Sequence, residues 1–204
     1  MRVCVYGASA DKIDRDYIEA GEQLGRIFAD RGWSIVYGGG STGLMGAVAR
    51  GMTAGGGEIT GVAPVFFQVD GVLYEHCKEM LRPETLRQRK QIMEDLADAF
   101  VITPGGLGTM DEFFEILTLR QLGRHAKPIC ILNTNGYYDD LLAMMDYMQE
   151  KGFVEAIAID CLTVTDDPEQ VPGMLEEHLG DKPIFAKATK QAEETEEEEE
   201  EDEE

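Results

Sequence analysis

Short apolar runs alternate with longer helical patterns along the whole body of this chain, and glycines close three of the runs. Val3–Tyr6, Ser34–Tyr37, Glu58–Ala63, Ala99–Ile102, Pro128–Leu132 and Leu162–Val164 read as strands. Helical patterns lie near 14–31, 43–54, 83–97, 109–122, 138–150 and 168–179. Strands that alternate with helices predict an α/β fold, Rossmann-like and doubly wound, with a mostly parallel sheet and helices on both faces. Phe100-Val101-Ile102 and Ile129-Cys130-Ile131-Leu132 are unbroken apolar runs, as strands covered on both sides require. The segment 65–80 carries no regular pattern. A chain of 204 residues is long enough for one domain with a substantial core, expected over 1–185.

Residues 186–204 are a different material. The net charge is −22, and residues 191–204 hold eleven acidic side chains and no basic one, which leaves −11 on the rest. That stretch buries too little apolar surface to offset its ordering entropy, so it is expected to be a disordered acidic tail. The body shows no Lys/Arg stripe of the kind that binds duplexes, so a nucleic acid polymer is not an expected partner, whereas a single nucleotide is compatible. No apolar run reaches 18 residues and the N-terminus lacks a signal-peptide layout, so no membrane association is expected. Cys4, Cys77, Cys130 and Cys161 are widely spaced and form no metal-ligand pattern. They read as thiols of a reducing compartment, the cytoplasm, with Cys4, Cys130 and Cys161 in or beside apolar strands.

The chemistry gathers where strands end. Tyr6-Gly7-Ala8-Ser9, Tyr37-Gly38-Gly39-Gly40-Ser41 and Thr103-Pro104-Gly105-Gly106 each follow a strand, so all three loops are expected at one edge of the sheet, where α/β folds bind ligands. Gly38, Gly40 and Gly43 formally spell a dinucleotide fingerprint. The acidic residue that should end the next strand is missing, because Glu58 begins it and Pro64 follows it. The loop suits one anion at a helix N-terminus, or else it is a tight turn that only glycine permits. Thr109-x-x-Glu112 admits two readings. It is a capping box, or Glu112 is a functional carboxylate one turn beyond an anion-binding loop. Pro83 fits the first turn of a helix on which Leu86, Lys90, Met93 and Ala97 share a face. Arg89 and Lys90 then emerge at the edge of the apolar stripe, and either enter a cleft or reach past it to solvent.

Together, Gly38-Gly39-Gly40 with Gly43-Leu44-Met45-Gly46, the Arg89-Lys90 pair and Pro104-Gly105-Gly106-Leu107-Gly108-Thr109-Met110-Asp111-Glu112 resemble the Lonely-guy family. These are cytokinin riboside 5′-monophosphate phosphoribohydrolases, once widely labelled lysine decarboxylases. Thr118, Gln121-Leu122-Gly123, Lys127-Pro128 and Asn135-Gly136-Tyr137-Tyr138 extend the match, which covers roughly residues 2–165. The resemblance implies a homodimer without metal or organic cofactor that hydrolyses the N-glycosidic bond of a nucleoside 5′-monophosphate, AMP or a cytokinin riboside monophosphate, to free base and ribose 5-phosphate. By motif position it makes Arg89 and Glu112 the catalytic pair. It places phosphate and substrate on Gly39, Gly40, Ser41, Gly105, Gly106, Leu107, Gly108, Thr109, Met110 and Asp111, with Lys90 and Thr118 lining the site. Leu86-Arg87-Gln88 departs from the methionine-histidine-glutamate or -glutamine of many members, and Tyr6-Gly7-Ala8-Ser9 departs from their usual opening.

The reaction class suits these residues. Cleaving a base–ribose bond passes through an oxocarbenium-like cation that a carboxylate stabilises. Decarboxylation of lysine normally needs pyridoxal phosphate on a loop lysine, and no lysine here sits in a comparable loop. The alternative of another class is a binding protein of the same fold, such as a nucleotide or molybdenum-cofactor carrier, which needs neither Arg89 nor Glu112.

Overall fold

Strand β1 (Arg2–Tyr6) lies in the middle of a parallel sheet, and everything that builds the site follows from what flanks it. The computed structural model describes residues 1–67, 72–154, 159 and 161–182. After β1 come α1 (Arg15–Asp30), β2 (Ser34–Tyr37), α2 (Gly43–Ala54), β3 (Glu58–Val62), β4 (Glu79–Leu81) and α3 (Leu86–Leu96). The second half is β5 (Ala99–Ile102), α4 (Leu107–Gln121), β6 (Ile129–Leu132), α5 (Asp139–Glu150), β7 (Leu162–Thr165) and α6 (Val171–Glu177). The strand order is β4-β3-β2-β1-β5-β6-β7, and each neighbouring pair is parallel. The expected "mostly parallel" sheet is thus wholly parallel over its described strands.

Alternation along each strand sends side chains to two separate cores. Val3, Val5, Ile35, Tyr37 and Val101 pack with Leu24 and Phe28 of α1, Val48 and Met52 of α2, and Leu175 of α6. Cys4, Tyr6, Val36, Phe100 and Ile102 pack on the other face with Met93 of α3, Phe113 and Ile116 of α4, and Met145 of α5. Helices therefore cover both faces, which is why the strands are apolar throughout. Cys4 and Cys130 are buried as expected, but Cys161 is only half-buried.

The chain first runs outward from β1 to β4, then returns through α3 to β5 on the other side of β1. Loops leaving β1 and β5 therefore part company, and a crevice opens between them. Register sets their level: Tyr6 pairs with Ile102 and Val5 with Tyr37, so the glycine loops leave the sheet together. Ala8 N–H donates to the Pro104 carbonyl at 3.0 Å and ties two of them.

Three expectations need correction. The unpatterned segment 65–80 contains the start of an edge strand, β4, too short at three residues to show a period. Helix α3 does not start at Pro83 but at Leu86, behind a reciprocal cap in which Gln88 N–H donates to Thr85 Oγ1 at 3.2 Å and Thr85 N–H to Gln88 Oε1 at 3.1 Å. Helix α4 starts at Leu107 with Gly106 as its N-cap, so Thr109 is already inside it and Thr109-x-x-Glu112 is no capping box. The tail expected from 186 lies outside the described residues.

The Thr85 cap fixes the start of the helix that carries Arg89. Thr85→Ala is expected to lower stability by about 1 kcal/mol, read as a fall of roughly 2–4 °C in Tm. An unchanged Tm would show that the cap contributes nothing.

Candidate active site

A cavity of about 520 Å³ opens at the carboxyl ends of β1, β2 and β5. Its floor is a buried ion pair. Arg89 leaves α3, crosses over Gly38 and donates from Nη1 to Glu112 Oε1 of α4. A Cβ at Gly38 would stand 2.4 Å from Arg89 Nη2, so glycine there lets the guanidinium through. Arg89 Nε donates to the Val62 carbonyl at 3.0 Å, at the end of β3 where a dinucleotide fold would hold its ribose-binding acid. That explains structurally why the fingerprint read from Gly38, Gly40 and Gly43 is incomplete.

Glu112 is only 7% exposed. Burial pushes its carboxyl above the ordinary glutamate value of 4.5, and the facing Arg89 guanidinium pulls it part of the way back. Lys90, next in sequence, turns elsewhere. Its ammonium meets Glu115 at 2.5 Å and Asp111 at 3.0 Å and links α3 to α4 outside the cavity. Burial works against the charge on Lys90, but the two carboxylates outweigh it and hold its pKa above the ordinary lysine value.

The second wall is the start of α4. Gly106, Leu107, Gly108 and Thr109 line the cavity beside Glu112. A Cβ on Gly106 or Gly108 would meet nothing within 4 Å, so the backbone of this turn faces open space. The first N–H groups of a helix have no intrahelical acceptor, and with the helix dipole they form an anion site. Opposite them lie Gly7, Ala8 and Ser9 of the β1 loop and Gly38, Gly40 and Thr42 of the β2 loop.

Gly39 and Ser41 are engaged through their backbones by the segment that follows β3. Tyr74 N–H donates to the Gly39 carbonyl and Ser41 N–H to the Val72 carbonyl, both at 2.9 Å, with Gly40 and Leu73 as a bridge pair. Residues 72–74 thus strap across the β2 loop and bring Val72 and Leu73 into the cavity beside Phe67, Leu86 and Met45. Phe67, Val72 and Leu73 carry no periodic signal of this role in the sequence. The strap has a single bridge and no strand period, and the cluster Val65-Phe66-Phe67 after Pro64 was the available signal.

Of the other residues expected here, Gly105, Met110, Asp111 and Thr118 lie off the cavity in the single chain: Met110 packs on the core, and Asp111 and Thr118 are exposed. Another cavity, about 550 Å³, lies at the amino ends of the strands between Trp33, Glu58 and Asp98, far from every glycine loop named above. Open α/β sheets bind ligands at the carboxyl ends of their strands, where in this chain the ion pair and the helix start converge. Among the described residues lining that site none is a lysine, so no Schiff-base partner for pyridoxal phosphate is present there. No described helix is long and apolar enough to cross a membrane.

A family model described as "possible lysine decarboxylase" matches residues 45–175. The chain is 36% identical over 178 residues to the cytokinin riboside 5′-monophosphate phosphoribohydrolase LOG2 of Arabidopsis thaliana, covering 87% of this chain and 84% of that one. It is 38% identical over 165 residues to the cytokinin riboside 5′-monophosphate phosphoribohydrolase of Mycobacterium tuberculosis, covering 81% and 88%. Among solved structures, the molybdenum cofactor binding protein of Rippkaea orientalis superposes with a TM-score of 0.67 at 18% identity, over 86% of this chain and 95% of that one. The molybdenum cofactor carrier protein of Chlamydomonas reinhardtii does so at 0.67 and 19%, over 88% and 98%. At such identities the structural likeness establishes the Rossmann-like fold alone.

Proposed function

The chain belongs to the cytokinin riboside 5′-monophosphate phosphoribohydrolase family, and from that premise we propose that it hydrolyses the base–ribose bond of nucleoside 5′-monophosphates with Arg89 and Glu112. The observation that carries this reading is the buried Arg89–Glu112 pair on the floor of a cavity whose wall is a helix N-terminus. A carrier needs the anion site but gains nothing from a carboxylate desolvated beside it.

The 5′-phosphate is assigned to the first turn of α4, with Gly106, Gly108 and Thr109, facing the β1 and β2 loops. Glu112 sits one turn further along, clear of the phosphate and level with the ribose. Arg89 holds Oε1, and Oε2 is the oxygen we assign to the sugar. As the C1′–N bond lengthens, its electron pair leaves with the base and positive charge grows on C1′ and the ring oxygen, where Glu112 stabilises it. Water then bonds to C1′, and its proton ends on the base. Arg89 favours the ionised form of Glu112 against its burial and adds positive potential that favours the departing base. Met45, Phe67, Val72, Leu73 and Leu86 form an apolar end suited to a purine, including one with an apolar substituent, as in the cytokinin ribosides of the relatives' names.

Lys90 is assigned to packing α3 on α4, and Thr118 and Asp111 to the outer face of α4. That face also exposes Leu107, Phe114 and Leu122, with Leu107 91% exposed. An apolar stripe of this kind supports the homodimer, which light scattering would report as twice the chain mass. Cys4, Cys77 and Cys130, all free thiols, support a reducing, cytoplasmic compartment.

A phosphate held by several charge-assisted hydrogen bonds is worth a large discrimination. AMP is expected to be cleaved with a kcat/KM at least about a hundredfold above that of adenosine. Equal values for the two would remove the phosphate site.

A further inference from the structure

The turn after β6 is a family motif that this reading leaves unused. In Asn135-Gly136-Tyr137-Tyr138 both tyrosines reach the neighbouring loop, because β6 lies beside β5 in the sheet. Tyr138 Oη donates to the Thr103 carbonyl and Tyr137 Oη to the Gly105 carbonyl, each at 2.8 Å.

The turn that carries them is stiff. Tyr138 N–H donates to Asn133 Oδ1 and Asn133 Nδ2 to Asp139 Oδ1, both at 2.7 Å. Gly136 has φ +68°, and a Cβ there would lie 2.5 Å from Asp139 Oδ2, so only glycine fits. Asn135 also takes a left-handed φ of 54° and donates from Nδ2 to Asp16 Oδ2 at 3.3 Å. The Tyr137 ring meets Tyr17 edge-on at 5.9 Å and Tyr138 at 4.9 Å, so its hydroxyl is aimed by packing on two sides.

We infer that Tyr137 is a positioning residue for the phosphate: by holding the Gly105 carbonyl it turns the Gly106 N–H into the cavity. The inference rests on the phosphate assignment above. In a planar trans peptide the carbonyl of Gly105 and the N–H of Gly106 point in opposite directions, and the described chain has no cis peptide. Gly106 lines the cavity while Gly105 does not. The preceding peptide is fixed independently, because Ala8 N–H holds the Pro104 carbonyl. The peptide between two glycines rotates easily, so its direction depends on the hydroxyl that anchors it. Phosphate at a helix N-terminus needs that N–H already aimed.

Tyr137→Phe keeps the ring and its packing and deletes only the anchor. The variant is expected to raise KM for AMP about fivefold, the scale of one hydrogen bond, with most of the loss in KM rather than kcat. The AMP-over-adenosine preference should shrink by about the same factor, and the Kd of ribose 5-phosphate should rise with it. Tyr147→Phe, on the exposed face of α5, is the control and should change none of these values. Unchanged KM and preference in Tyr137→Phe would overturn the inference, as would a parallel loss of kcat, KM and Tm, which marks a merely structural role. A wild-type enzyme with no preference for AMP defeats the phosphate site itself. A preference that survives intact in Tyr137→Phe defeats only the role of Tyr137.

Discussion

Glu112→Gln is expected to fold and bind AMP, yet to turn over at under about one hundredth of the wild-type rate. A carboxylate that stabilises developing positive charge in a water-poor site contributes on the order of 3 kcal/mol to the barrier. Glutamine keeps the shape and an oxygen for Arg89 but removes the charge. It leaves the Arg89 guanidinium without its counter-charge but also removes a charge that burial disfavours, so Tm should change little. The helix start itself is unaffected, because α4 is capped at Gly106 and Glu112 takes no part in that cap. Arg89→Ala should be comparably slow, since Glu112 then sits buried with no cation beside it. The acid side of the rate profile carries the same signature. Burial raises the Glu112 pKa, so the folded chain favours the protonated, inactive carboxyl at a higher pH than an ordinary glutamate would. Activity should therefore fall as pH drops through a value above 4.5, and that limb should be missing from the residual activity of Glu112→Gln. Ionising a carboxyl whose folded pKa is raised also lowers stability as pH rises from the unfolded value through the folded one. The active form is thus the less stable form.

Gly51→Ala is expected to destabilise the chain by about 2 kcal/mol or more, a fall of roughly 4–8 °C in Tm. Helices α1 and α2 touch through glycine: a Cβ on Gly51 would lie 2.1 Å from the Glu22 carbonyl oxygen, and one on Gly25 the same distance from that of Val48. Those neighbours are backbone atoms, which move only if the helices separate. Helix propensity pulls the other way, because alanine is favoured over glycine by about 1 kcal/mol inside a helix. The clash outweighs it here. Gly173→Ala in α6 isolates the propensity term, since a Cβ there meets nothing within 4 Å, and it should be neutral or stabilising by up to about 1 kcal/mol. The separation also positions the site, because α2 begins at the β2 loop. Both substitutions are read by thermal melts, and a Gly51→Ala chain that melts with the wild type would refute the close approach.

The parts of this fold that were legible in the sequence are those where one periodic signal dominates. Ser34–Tyr37 and Ala99–Ile102 have the bounds that their apolar runs suggest, and so does the helix Gly43–Ala54 between its glycines. The described residues of the segment 65–80 were illegible because their order comes from partners. β4 pairs with β3 over three residues, and the strap at 72–74 exists only through its bridge to the Gly39–Ser41 backbone. The start of α4 was misjudged because Thr109-x-x-Glu112 satisfies a local rule, while Arg89, 23 residues away in sequence, claims the carboxylate instead. Lys90 shows the same limit: its neighbour Arg89 enters the cavity, and its own charge is taken up by Asp111 and Glu115. Sequence located the residues, and tertiary pairing decided which way each one faces.

The central claim, that Arg89 and Glu112 break the base–ribose bond of a bound 5′-monophosphate, is tested most directly by product identity. AMP is incubated with the wild-type chain and, in parallel, with Glu112→Gln, and the products are separated by chromatography. The account predicts adenine and ribose 5-phosphate in equal amounts from the wild type and almost none from the variant. Adenosine and inorganic phosphate, or adenine released equally fast by both proteins, would contradict it.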